Sequence, residues 1–121
     1  MWTYHQASGV LDQDGAIVGV GYSGAPPLGK NNPAMQNVHC VGPIPAGFYT
    51  FGDPEDSPKL GPVAIPLIPD PANAMFGRSA FLMHGDSLEH PGNASEGCLI
   101  FSRDVRLRVA MSADNQLSVT A

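Results

Sequence analysis

The sequence predicts a single, mainly β domain with one short helix near the C-terminus. Glycine and proline number 14 and 12, about a fifth of the 121 residues, which favours many turns over long helices. Short apolar, β-branched and aromatic runs alternate with Asp-Gly, Gly-Pro and Pro-rich breaks. Only Ser102 followed by Arg103–Met111 pairs a capping residue with a helix-compatible run.

Trp2 to Ala7 alternates as a strand. Asp12-Gln13-Asp14-Gly15 is a turn, and Ala16 to Tyr22 is a second strand, so the opening reads as a β-hairpin. Ser23 to Val41 is a long loop rich in Gly, Pro and Asn, a length usually tied to function or mobility. Gly42-Pro43-Ile44-Pro45-Ala46-Gly47 turns the chain into the strand Phe48–Phe51. Asp53 to Pro62 is a loop. Val63 to Ile68 is β-branched but contains Pro66, which predicts an edge or bulged strand. Asp70 to Arg78 is a loop with room for one helical turn. Ala80–His84 and Cys98–Phe101 are strands, and Ala113-Asp114-Asn115 turns into a closing strand, Gln116–Thr120. Val105-Arg106-Leu107-Arg108-Val109 also alternates as a strand would, so the helix rests on its cap.

Composition excludes several functions. The net charge is −5 and no basic patch exists, which argues against nucleic acid and against anionic membrane surfaces. No run reaches the length of a membrane span. The start, Met1-Trp2-Thr3-Tyr4-His5, has no basic region and no apolar core, so no Sec signal peptide is expected within this numbering. Two cysteines, Cys40 and Cys98, are too few for a disulfide framework, although one bridge between them is an alternative that would silence Cys98.

The chemistry concentrates in Phe81-Leu82-Met83-His84-Gly85-Asp86 and Ser95-Glu96-Gly97-Cys98-Leu99-Ile100. A cysteine is a useful nucleophile when a neighbour takes its proton, and histidine is the usual partner. Cys98 is therefore the candidate nucleophile and His84 the candidate base. Gly97 permits a turn whose amides face a developing oxyanion. Asp86 shares a face with His84 in extended chain, or forms a turn after Gly85; Ser95 bonds within the site or caps the turn. Tyr22, Arg78 and Gly85 are candidate substrate contacts, Arg78 through bidentate binding of a carboxylate. Lys30 and His90 read as solvated. His39, Cys40, His84, Asp86, His90 and Cys98 match no familiar metal-ligand spacing, so neither metal nor cofactor is expected.

His84-Gly85-Asp86 with Ser95-Glu96-Gly97-Cys98 resembles the signature of L,D-transpeptidases of the YkuD type. Gly42–Tyr49 is similar to the Pro-x-Gly-x-aromatic strand entry of that fold. Tyr22-Ser23-Gly24, Gly29–Pro33, Arg78–Phe81 and Gly97–Ile100 resemble a narrower branch, the small type VI secretion L,D-transpeptidase effectors. Glu96 stands where the broad superfamily usually has histidine, Ile100 where it often has a polar residue, and the loop from His84 to Ser95 is shorter than usual. The resemblance implies a β-sandwich-like fold and peptidoglycan stem peptides as substrate, cleaved between diaminopimelate and D-alanine through a thioester on Cys98. It implies backbone amides of Gly97 and Cys98 as the oxyanion site. It also implies delivery into a target cell's periplasm and a cognate immunity protein. The alternatives are a cysteine amidase or endopeptidase of other specificity, and a non-catalytic wall-binding β domain stapled by Cys40 and Cys98. The order His then Cys speaks against papain-like peptidases.

Overall fold

The computed structural model describes all 121 residues, Met1–Ala121. The strands are β1 (Trp2–His5), β2 (Val10–Gln13), β3 (Ala16–Val20), β4 (Gly47–Phe51), β5 (Glu55–Ser57), β6 (Gly61–Pro69), β7 (Leu82–His84), β8 (Leu99–Ile100) and β9 (Gln116–Thr120). One helix, α1, covers Arg103–Met111, and a single 3-10 turn covers Pro33–Met35. The domain is thus mainly β with its helix near the C-terminus, as the turn density and the Ser102 cap predict. The Ser102 hydroxyl accepts from the Val105 N–H, and Val105 and Val109, one turn apart, face the core.

The strands run in the order β3-β2-β1-β9-β4-β6-β7-β8, with β5 added to β6. The sandwich-like character comes from this one path curling on itself. Tyr22, just past β3, forms an antiparallel bridge with Ile100 of β8, so the two ends of the path meet. Gly21 permits the closure, because a Cβ there would overlap the Ile100 carbonyl. Trp2, Tyr4, Leu11, Tyr49, Met83, Leu99 and Leu117 fill the interior of the curl and are essentially solvent-free. Burial of side chains this large contributes roughly 1.5–3 kcal/mol each.

Three expected elements differ, the simplest being β5, which forms within the expected loop Asp53–Pro62 by pairing with β6. The opening hairpin is formed by β2 and β3 around Asp14-Gly15, and β1 pairs with β2 on its other side. Gly9, at φ +75°, turns the chain after β1 and splits the expected first strand from β2. Strand β6 is internal rather than an edge, because β4, β5 and β7 all pair with it, but it is bulged, as the alternative reading allows: its register with β5 shifts between Gly61 and Ala64. It tolerates Pro66 because β4 ends at Phe51. The Pro66 carbonyl accepts from Gly52 N–H at 2.8 Å, while Leu67 N–H turns the other way to Phe81. The missing proline N–H therefore faces the β4 side just past the last ladder pair, where only the return bond to Gly52 is given up. Residues 70–78 contain turns and no helix.

Candidate active site

Strands β7 and β8 run parallel, with Met83 opposite Leu99 and His84 opposite Ile100. Phe81, Met83, Leu99 and Phe101 point into the core. Alternation therefore sends His84 and Ile100 to the other face, while Cys98 immediately precedes β8 with its sulfur near the Leu82 backbone N–H. The pairing sets His84 opposite Ile100, two residues after Cys98, and so brings the two sequence-predicted catalytic residues to neighbouring positions along adjacent chain segments. It does not join them by a hydrogen bond. Cys98 opens into a cleft of about 300 Å³ shared with His39, Cys40, Arg78, Phe81 and Glu96. His84 lines the neighbouring hollow of about 560 Å³ with Asp86 and Arg106.

His84 is buried, and its Nδ1 lies 2.8 Å from the Gly85 carbonyl oxygen. Only a protonated nitrogen makes that bond, so the hydrogen sits on Nδ1 and Nε2 is left as the acceptor. Burial, with the Arg106 guanidinium nearby, holds the imidazole below its ordinary pKa, so it is neutral at pH 7. Burial also pushes the Cys98 thiol up. The nearby Glu96 carboxylate adds to this, while the Leu82 backbone N–H and the Arg78 charge oppose it. The resting pair is therefore neutral imidazole and neutral thiol, not a preformed ion pair.

Ser95 sets the turn that carries the thiol. Its hydroxyl accepts from Gly97 N–H and Gly24 N–H, both at 3.0 Å, and donates to the Cys98 carbonyl at 2.6 Å. Ser23, which is not among the sequence-predicted site residues, donates to the Gly97 carbonyl at 2.7 Å and accepts from Ile44 N–H. Gly97 has φ +143°, and a Cβ there would lie 2.6 Å from Arg78 Nη2 and 2.7 Å from Phe81 Cε1. The glycine is required by packing as well as by backbone geometry. Because Gly97 N–H is engaged by Ser95, it is not free for an oxyanion. The Cys98 N–H makes no hydrogen bond.

The candidate substrate contacts are differently employed. Arg78 is 7% exposed, and its terminal nitrogens donate to the carbonyls of Gln36, Gly42, Pro43 and Glu96. That geometry braces the long loop against the Cys98 turn and leaves no bidentate fork for a carboxylate. Tyr22 donates its hydroxyl hydrogen to Asp86 at 2.6 Å and accepts from Ala94 N–H at 2.9 Å. Asp86 also receives Ser87 and Gly92 N–H groups, so it is the turn former rather than the partner of His84. Lys30, expected to be solvated, stacks 4.1 Å from the Tyr22 ring centroid and donates to the Gly92 carbonyl. Gly85 sits against Arg106, whose Nη2 would be 2.9 Å from a Cβ. His39 and Cys40 line the Cys98 cleft; in the sequence they are 58 residues from Cys98 or more, and only the long loop's path brings them there.

Both cysteines are free, which removes the Cys40–Cys98 staple from this structure. No group of three His, Cys, Asp or Glu side chains is placed to hold a metal ion. No helix is long and apolar enough to cross a membrane. A family model described as the Tlde1 domain matches residues 18–120. No curated protein and no solved structure gives a match.

Proposed function

The chain belongs to the Tlde1 domain family, a type VI secretion effector family, and from that premise we propose that it is a cysteine L,D-carboxypeptidase or L,D-transpeptidase. Its substrate is the peptidoglycan tetrapeptide stem. The observation that carries this reading is the β7–β8 register, which sets His84 opposite Ile100, two residues after Cys98. The wider likeness to YkuD-type enzymes, periplasmic action in a target cell and a cognate immunity protein belong to the same proposal.

The resting protonation states define the mechanism. Neutral His84 takes the thiol proton at Nε2 as the Cys98 sulfur attacks the carbonyl carbon between the diamino acid and D-alanine. The pair is not hydrogen-bonded at rest, so contact forms with substrate in place, a tightening common in such sites. The Cys98 N–H is free to receive the developing oxyanion. The carbon–nitrogen bond breaks and D-alanine leaves with the proton from His84. A thioester remains. Water then releases the tripeptide, or the amine of a second stem forms a cross-link; either nucleophile delivers its proton to His84 and restores the thiol.

A second reading of the base has its own observation: His39, not His84, lines the cleft that holds Cys98. Its Nε2 is engaged with the Phe76 carbonyl at 2.7 Å, which leaves only Nδ1 to accept a proton. Variants separate the two. Cys98→Ala abolishes D-alanine release from purified tetrapeptide muropeptides. His84→Ala lowers kcat by about a hundredfold or more if it is the base. His39→Ala changes kcat by less than about tenfold. Undiminished release by Cys98→Ala removes the nucleophile assignment, and reversal of the two histidine results transfers the base role to His39.

A further inference from the structure

Five ionisable side chains line the cleft beside the nucleophile: His39, Cys40, Arg78, Glu96 and Cys98. The Arg78 guanidinium is committed to four backbone carbonyls and is nearly buried. Glu96 is exposed and takes part in none of the ion pairs of the molecule, all of which lie near the N-terminus or between His5 and Asp12. Its carboxylate is thus the unpaired acidic charge of the cleft. Its backbone is held rigidly: Arg78 Nη2 donates to the Glu96 carbonyl at 3.0 Å, Ser95 anchors the residue before, and Gly97 is wedged against Phe81. An unpaired carboxylate carried on a braced backbone beside a reaction centre is a receptor for a cation.

We propose that Glu96 is a specificity-determining residue, which receives a primary ammonium group of the substrate peptide at the cleft beside Cys98. The proposal rests on the peptidase reading above and narrows it to stems whose diamino acid keeps a free side-chain amine. The charge has a cost that supports this role, because Glu96 disfavours the Cys98 thiolate. A docked ammonium cancels that field when substrate arrives and leaves Arg78 to favour the thiolate. A peptide without the cation leaves the Glu96 field in place.

The test is calorimetric binding to the Cys98→Ala protein, which cannot turn over. Two tetrapeptides, both acetylated at the N-terminus, are compared: one with a free side-chain amine on the diamino acid, one acetylated there. The free-amine peptide binds about fivefold more tightly at low salt, the upper end for a solvent-accessible ion pair, and the difference shrinks as salt rises. Adding Glu96→Gln makes the two peptides bind equally, and Glu96→Asp restores part of the preference. Equal binding of both peptides to Cys98→Ala, a preference that survives Glu96→Gln, or no binding of either peptide overturns the proposal. Retained discrimination in a protein whose wild-type form releases no D-alanine overturns the catalytic reading instead and leaves Glu96 as an ammonium receptor.

Discussion

A buried histidine held neutral gives the site a measurable signature. The imidazole of His84 binds a proton less readily than in the unfolded chain, whose histidine titrates near 6.5. As pH falls through 6.5, the unfolded state gains a proton that the folded state refuses. Stability therefore drops in that window, and His84 adds no further loss below its folded pKa. The slope is at most about 1.4 kcal/mol per pH unit for one proton. Asp86, held below 3.8 by Tyr22 and the Gly92 and Ser87 N–H groups despite some desolvation, adds a second loss only at lower pH, with the same sign. Urea unfolding between pH 7.5 and 5.5 shows the first loss, and His84→Asn flattens it. An equal slope in both proteins means that His84 titrates as it does in the unfolded chain. The same neutrality is what the base role proposed for His84 requires at pH 7.

At the level of elements, the Cys98 turn is made by its neighbours rather than by its own sequence. Ser95, Ser23 and Arg78 together engage the turn's backbone at Glu96, Gly97 and Cys98. Arg78→Lys keeps the charge but offers one ammonium where a planar fork met four carbonyls. It is expected to cost about 3 kcal/mol, read as a lower urea midpoint at unchanged m-value. A change below about 0.5 kcal/mol would mean that the four carbonyls find other donors. The brace also explains what the sequence could and could not disclose. His84, Gly97 and Cys98 stood out in the sequence because candidate nucleophile, candidate base and permissive glycine lie within one short segment. The helix was legible because Ser102 caps it locally. Arg78's role was not, because its acceptors lie 18 to 42 residues away and a carbonyl leaves no mark in a sequence. Pro66 misled about the edge but not about the bulge: whether a proline needs an edge depends on where the partner strand ends, and the last β4 pair is Phe51 with Leu67.

The whole molecule is a curled sheet whose two ends meet at Tyr22 and Ile100, and the candidate site lies on that seam. Two kinds of bond close it. Reciprocal backbone hydrogen bonds, Tyr22 N–H to Ile100 O at 3.1 Å and Ile100 N–H to Tyr22 O at 2.8 Å, join the strands. Side-chain bonds from the Tyr22 hydroxyl to Asp86 and from Ala94 N–H fasten the segment between β7 and β8 over the seam. Tyr22→Phe separates them, since it keeps the ring, its stacking with Lys30 and the backbone bridge while removing the hydroxyl. Loss of one charge-assisted bond and one amide bond is expected to destabilise by about 1–3 kcal/mol. Amide hydrogen exchange locates the effect: the Ala94 N–H loses its acceptor and exchanges faster, and the Gly92 N–H follows as Asp86 loosens. The Tyr22 and Ile100 amides keep protection comparable to the β4–β9 ladder, because their partners are untouched. Faster exchange at Ile100 as well would show that the segment, and not the backbone bridge, holds the two ends of the sheet together.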